Sequence, residues 1–383
     1  MLSYAHANDT QPEETMSKTH QRITLAALAG LGVLAASQAM AQMPSDIAEK
    51  IAAIGRVVDG QKTGEIYTPL QEKEPYAGVK VARDVKYGPD PRNLVDIFTA
   101  EAATGARPVL MFVHGGGLIR GSKRTPGSAF YDNVMLWAAR NGMVGVNVEY
   151  RLAPAHPWPA GAQDMGAAVR FVAENAATYG ADPAKIFLMG HSAGATHVST
   201  YVAHPEFHGP KGSGLAGAIF SSTPAFDLTT EPANEGRTAY YGTDASKYAE
   251  RSAFQGLIKT SIPFMMSVAE LDPPSIFEQN ARFKEILCKS EHGCVRAIVL
   301  PKHSHMSASY HINTADKHLT NQILEFVKTR QIAGLTLTEV HADHGVATVR
   351  GRAATTLAKR VCWECCRRVT GVRFVVDLVE LTA

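Results

Sequence analysis

The sequence predicts an α/β fold, with a mostly parallel sheet of about eight strands flanked by helices. Three observations predict it. Short, continuously apolar runs recur along the chain, as expected of strands buried on both faces. Stretches with apolar residues at helical spacing separate them. The joints are mostly short, so successive strands run the same way with a helix crossing between them.

The elements follow in order. Val79–Val85 and Leu94–Phe98 are β-rich runs separated by Gly88-Pro89-Asp90-Pro91. That pattern predicts an antiparallel hairpin at the sheet edge. Val109–Val113 and Val144–Val148 read as buried strands, with a helix over Ala129–Ala139 between them. Ala162–Ala177 is helical, Ile186–Met189 a strand and Ala195–Ala203 the next helix. Ala218–Phe220, Pro263–Val268 and Ala297–Leu300 continue the strand series. Phe277–Leu287 and Thr314–Lys328 are amphipathic helices. Pro224–Thr260 breaks the rhythm, being rich in small and polar residues with no buried-strand run. An insertion of that length predicts a small cap, to which Met43–Tyr76 is expected to contribute.

Hydrophobic residues make up 45% of the 383 residues and charged residues 19%, which suits a large buried core and excludes disorder over most of the chain. A net charge of +2 gives no electrostatic case for nucleic acid or an anionic membrane as partner. Lys18 and Arg22 precede the apolar run Ile23–Ala36, and Ala39-Met40-Ala41 follows. This is the pattern of a cleavable secretory leader, expected over residues 1–41, with Met16 open as an alternative start because residues 1–15 are polar. The run is shorter than the roughly 20 apolar residues a spanning helix needs. A periplasmic or secreted protein with no membrane span in the mature chain is therefore expected, its main domain covering 42–330. Cys288 and Cys294 flank a polar turn; a local disulfide and two free thiols both remain open. Cys362, Cys365 and Cys366 contain one C-x-x-C without a second pair, a poor zinc signal.

The chemistry-bearing residues fall into four pieces. Gly190-His191-Ser192-Ala193-Gly194 follows an apolar strand and precedes a helical run. A tight strand-to-helix turn would hold Ser192 strained, with its hydroxyl projecting above the sheet. His114-Gly115-Gly116-Gly117 follows the strand Val109–Val113. Gly115 and Gly116, with Ala193, are candidates to donate backbone N–H groups to an oxyanion. After Pro263–Val268 come Glu270 and Asp272, of which Asp272 is preferred, since Glu270 lies closer to the strand. After Ala297–Leu300 come His303 and His305, with His305 preferred as base. A metal pair from His303 and His305 is disfavoured because no third ligand is apparent nearby.

These residues resemble the hormone-sensitive-lipase-like and carboxylesterase-like branch of the α/β-hydrolases over about Val79 to Arg330. Beyond H-G-G-G and G-H-S-A-G, the stretch Glu149-Tyr150-Arg151-Leu152-Ala153-Pro154-Ala155-His156-Pro157-Trp158-Pro159-Ala160 is similar to a family segment. Asp164 and Asp182 match family aspartates expected at helix or turn starts. The resemblance implies a Ser192–Asp272–His305 triad that hydrolyses small-molecule carboxylic esters of modest acyl size, without metal or organic cofactor. Leu118 departs from the family's aromatic residue, which leaves the acyl pocket open. Kynurenine-formamidase-like and feruloyl-esterase-like relatives use the same parts, so an arylformamide, an amide or a plant-wall ester remains open. A non-catalytic cell-envelope binding module is the alternative of another class.

Beyond Arg330 the pattern changes. Leu335–Val340, Val346–Arg350 and Arg373–Val379 read as strands and Ala354–Arg367 as a helix. Gly345–Arg352 and Val369–Val376 resemble the second half of a BON domain. For the tail, 331–383, that implies envelope association; whether helix Thr314–Lys328 serves both units or the tail is a truncated or fused remnant stays open.

Overall fold

A computed structural model describes residues 42–290, 292–330, 335–343, 346–367 and 373–381. The expected leader, 1–41, lies outside the described residues. Helices α1 (Ser45–Ile54) and α2 (Gly60–Tyr67) precede strands β1 (Val79–Lys86) and β2 (Leu94–Ala100). The chain continues through β3 (Arg107–Val113), α3 (Asp132–Arg140), β4 (Val144–Val148), α4 (Ala160–Glu174), β5 (Ala181–His191), α5 (Ala193–Ala203) and β6 (Gly217–Ser221). Three short helices follow, α6 (Glu235–Tyr241), α7 (Tyr248–Arg251) and α8 (Phe254–Lys259). Then come β7 (Phe264–Leu271), α9 (Pro274–Lys289), β8 (Arg296–Ser304), α10 (Ser307–Tyr310) and α11 (His318–Arg330).

The eight strands form one sheet in the order β1-β2-β4-β3-β5-β6-β7-β8. β2 pairs antiparallel with both β1 and β4, and the other pairings are parallel. The predicted edge hairpin and parallel sheet are both present. Side chains alternate across the sheet. Val109, Met111 and Val113 join one core with Ala162, Met165 and Val169 of α4 and Val198 of α5. Leu110 and Phe112 join the opposite core with Ile47 and Ile51 of α1, Val134 of α3 and Phe326 of α11. Because β3 is buried on both sides, its sequence reads as an unbroken apolar run.

Some boundaries differ from expectation. α11 begins at His318 because the Asp316 side chain accepts from the His318 N–H, and the Thr314 hydroxyl turns back to the carbonyl of His311. Asp164 does not start a helix. It lies inside α4, where its carboxylate accepts from the backbone N–H and guanidinium of Arg151. Asp182 does hold a local turn, accepting from the N–H of Ala184. The expected contribution of Met43–Tyr76 to the cap is not seen: Met43, Ile47, Ile51, Tyr67 and Tyr76 pack in the core on one sheet face, and none of the stretch joins the apolar cluster of Pro224–Thr260. Cys288 and Cys294 are joined by a disulfide.

The tail forms strands β9 (Leu335–Asp343), β10 (Val346–Ala353) and β11 (Phe374–Leu381) with helix α12 (Thr356–Arg367). They make a separate sheet in the order β11-β10-β9, with β10 antiparallel to β9 and parallel to β11. Val349, Ala353, Ala358, Cys362, Cys366 and Val379 form its small core. Helix α11 packs against both the main sheet and α12.

Candidate active site

The elbow begins where β5 ends. Ser192 sits between β5 and α5 with φ 56° and ψ −125°, a strained conformation for a residue with a side chain. The residues two before and two after it must be glycine. A Cβ on Gly190 would lie 2.4 Å from the carbonyl oxygen of Gly194, and one on Gly194 would lie 2.1 Å from that of Val113. The turn points the Ser192 hydroxyl out of the sheet, where it stays partly accessible.

His305, the residue after β8 at the C-terminal end of the sheet, meets that hydroxyl. Its Nε2 lies 2.8 Å from Ser192 Oγ and its Nδ1 2.6 Å from Asp272 Oδ1. Both His305 and Asp272 are buried. The second carboxylate oxygen of Asp272 accepts from the Ser222 hydroxyl at 2.7 Å and from the Ala269 N–H at 2.7 Å. These donors fix the carboxylate's rotation, and Arg56 Nε donates to the Asp272 carbonyl at 2.9 Å. Glu270 is turned elsewhere, exposed and accepting from the Lys302 N–H at 2.6 Å.

The His305 backbone is held from below by His191. The His191 ring donates through Nε2 to the His305 carbonyl at 2.8 Å. Burial drives the His191 pKa down to about 3, with the nearby His305 ring adding to the effect. It therefore stays neutral at ordinary pH, its proton on Nε2.

The glycine loop closes over the nucleophile. A Cβ on Gly115 would lie 2.9 Å from Ser192 Cβ, and Gly116 has φ 135°, with any Cβ 1.8 Å from the Arg120 carbonyl oxygen. Among the described residues no acceptor takes the N–H of Gly115 or Gly116. Ala193 starts α5 directly behind Ser192. The loop is braced from beneath: Tyr150 Oη donates to the His114 carbonyl at 2.8 Å, and His114 Nε2 lies 3.1 Å from Glu149 Oε1. Burial works to raise the Glu149 pKa, but His114 and Arg92 prevail and hold it below the usual carboxylate value.

Pro224–Thr260 covers this rim. Leu228, Tyr240 and Tyr241 pack with Leu118, Ala153 and Ala193 in one apolar cluster. Gly236 of α6 comes so close to the Gly117 carbonyl that a Cβ there would lie 2.0 Å from it. Leu118, the departure from the family pattern, is buried under these helices with φ 74°.

The structure thus brings Ser192, Asp272, His305, Gly115, Gly116 and Ala193 to one rim. It does not pair His303 with His305. Their rings face different partners, His303 meeting Ser307 and Asp316. Sequence reasoning gave no role to Arg56, His191, Ser222, His311 or Asp316. His191 sits inside the elbow motif and the others outside the motifs, and only the fold shows what their side chains meet.

The BD-FAE family model matches residues 95–207 and the prolyl oligopeptidase family model matches residues 157–331. Carboxylesterase NlhH of Mycobacterium tuberculosis is 47% identical over 92 residues, 23% of this chain and 26% of that protein. Probable carboxylesterase 13 of Arabidopsis thaliana is 32% identical over 193 residues, 44% of this chain and 57% of that protein. The chain matches less than two thirds of the length of either relative. Among solved structures, a bacterial heroin esterase superposes with a TM-score of 0.56 at 22% identity, covering 76% of this chain and 98% of that one. Brefeldin A esterase, a bacterial homologue of human hormone-sensitive lipase, superposes with a TM-score of 0.55 at 19% identity, covering 75% and 86%. At these identities the structural likeness speaks to the fold. With its eight-stranded, mostly parallel sheet and its strained serine elbow, the chain has the α/β-hydrolase fold, and over part of its length it is similar to carboxylesterases.

Proposed function

We propose that the chain is a serine esterase that hydrolyses carboxylic esters of small to medium acyl groups through a covalent acyl-enzyme. The observation that carries this reading is the unbroken hydrogen-bonded line from Ser192 Oγ through His305 to Asp272. The carboxylate of Asp272 accepts from Nδ1 of His305, which leaves Nε2 to take the Ser192 proton. Ser192 then attacks the ester carbonyl. The N–H groups of Gly115, Gly116 and Ala193 receive the oxyanion, each such donor worth about 2.7–4 kcal/mol of barrier. His305 protonates the departing alcohol. Water, activated by the same imidazole, then releases the acid and restores Ser192.

The names of the relatives support ester chemistry. The apolar cluster of Leu118, Leu228 and the two tyrosines beside Ala193 supports an acyl group of limited size. No organic cofactor takes part in this reading. Purified protein should hydrolyse p-nitrophenyl butyrate, and Ser192→Ala should return turnover to the uncatalysed background. Retained turnover in that variant would reject the reading. Matched ester, anilide and arylformamide substrates separate an esterase from an amidase or arylformamidase.

The leader pattern of residues 1–41 and the Cys288–Cys294 bridge support export to an oxidising compartment. Among the described residues no helix is long and apolar enough to cross a membrane. We assign 42–330 to catalysis and 331–383 to envelope association, the latter on its resemblance to half of a BON module. Fractionation of cells expressing the full chain tests both: recovery from the cytoplasm would exclude export, and recovery wholly free of envelope would exclude the tail's assignment.

A further inference from the structure

Beyond the His305 ring lies a second group of polar side chains that the proposed reaction does not use. His303 belongs to the end of β8, His311 follows α10 and Asp316 precedes α11. The loop between these elements brings all three back to one place. Each offers one ligand atom, and the three atoms lie within 4.8 Å of one another. All three side chains are buried, His303 at 1%, His311 at 0% and Asp316 at 3% exposure. His303 Nε2 is 3.0 Å from Asp316 Oδ2, and the two imidazole centroids are 4.3 Å apart.

A second observation concerns His311 alone. Its Nδ1 lies 2.7 Å from the Ser307 carbonyl oxygen. A carbonyl only accepts, so in the neutral ring Nδ1 carries the proton and Nε2 keeps its lone pair. That Nε2 is buried and has no hydrogen-bond partner. Buried polar atoms are seldom left so. Ser307 also orients the other ring, its hydroxyl lying 3.0 Å from His303 Nδ1. One residue thus sets both imidazoles from their outer sides, which is how metal-binding histidines are held.

We propose that His303, His311 and Asp316 form a binding site for a divalent transition-metal ion of the zinc class, which clamps the loop carrying His305. Two imidazole nitrogens and one carboxylate oxygen are the donors zinc takes, with nitrogen at about 2.0–2.1 Å. Calcium and magnesium favour sets made of oxygen alone, so they are the poorer fit. The ion would neutralise a carboxylate in an interior where charge needs a partner. It would also tie the end of β8 to α10 and α11 across the residue proposed as base.

The test titrates Co(II) alone into full-length protein stripped with a chelator. One equivalent should bind, with the intense visible absorption of a four-coordinate ion, and zinc should displace it. His303→Gln and His311→Gln should lose that band, while His305→Gln should keep it. X-ray absorption of zinc-loaded wild-type protein should show two imidazoles in the first shell, a readout that does not depend on any variant folding. Folded, stripped wild-type protein that takes up no cobalt, variants that bind as well as wild type, or a first shell without imidazole would each overturn the site.

Discussion

Nδ1 of His305 lies 2.6 Å from Oδ1 of Asp272, and both groups are buried. A charge-assisted hydrogen bond in that setting fixes which imidazole nitrogen carries the proton. The other oxygen of the same carboxylate is occupied by Ser222 and Ala269, so the carboxylate has one orientation to offer.

Asp272→Asn should therefore lower kcat by roughly 10³- to 10⁴-fold with little change in KM, because an amide can present its N–H and impose the wrong tautomer. Glu270→Gln should change kcat by less than about threefold, since an exposed carboxylate that only accepts from Lys302 contributes little. Steady-state kinetics of the two variants on one p-nitrophenyl ester compare them directly. Equal losses would remove the distinction drawn between the two acids.

Ser222 holds φ 49° and gives its hydroxyl to Asp272. Removing a hydrogen bond to a charged group costs about 1.5–3 kcal/mol, so Ser222→Ala should slow turnover by roughly 10- to 100-fold. The measurement is kcat as a function of pH. A positioning role moves the apparent pKa of the base along with the rate, whereas a purely structural one lowers the rate at every pH alike.

The glycine loop separates two alanine substitutions. Gly115→Ala would place a methyl 2.9 Å from Ser192 Cβ, in the space an ester carbonyl must occupy. Activity should fall at least about 100-fold with the fold retained. Gly117 has φ 63° but nothing within 4 Å of a Cβ, so Gly117→Ala should cost roughly 1–2 kcal/mol of stability and leave more activity. Paired circular dichroism melts and ester assays check both.

Much of this was legible in the sequence. Strand β3 and the elbow announce themselves, because a strand buried on both faces must be apolar throughout, and a strained serine needs glycine on either side. Asp272 and His305 follow from their positions just past β7 and β8. Other features were not legible. Asp164 reads as a helix start, yet it is an ion-pair partner inside α4, a role set by Arg151 arriving from another loop. In the sequence no further ligand stands beside His303, because His311 and Asp316 return to it only through α10 and the turn before α11. Arg56 reaches Asp272 across 216 residues of sequence, a contact with no local signal.

His191 and His197 make stability depend on pH. Burial lowers both pKa values to about 3, helped by His305 for the first and His114 for the second. An unfolded histidine titrates near 6.5, so between about 6.5 and 3 the unfolded chain binds more protons than the folded one. Stability should be full above about pH 6.5 and fall on acidification, by up to about 1.4 kcal/mol per pH unit for each histidine. Urea unfolding from pH 7 to 4 reads the slope. His197→Gln should remove one proton from it, whatever it costs in absolute stability, and an unchanged slope would contradict the assignment.

Ser192 is proposed as a nucleophile activated by His305, and labelling of the folded protein with a fluorophosphonate probe, followed by peptide mass mapping, tests that most directly. One probe should attach per chain, on Ser192, and His305→Ala should label far more slowly. A folded protein that takes no probe, or takes it on another residue, would contradict the account.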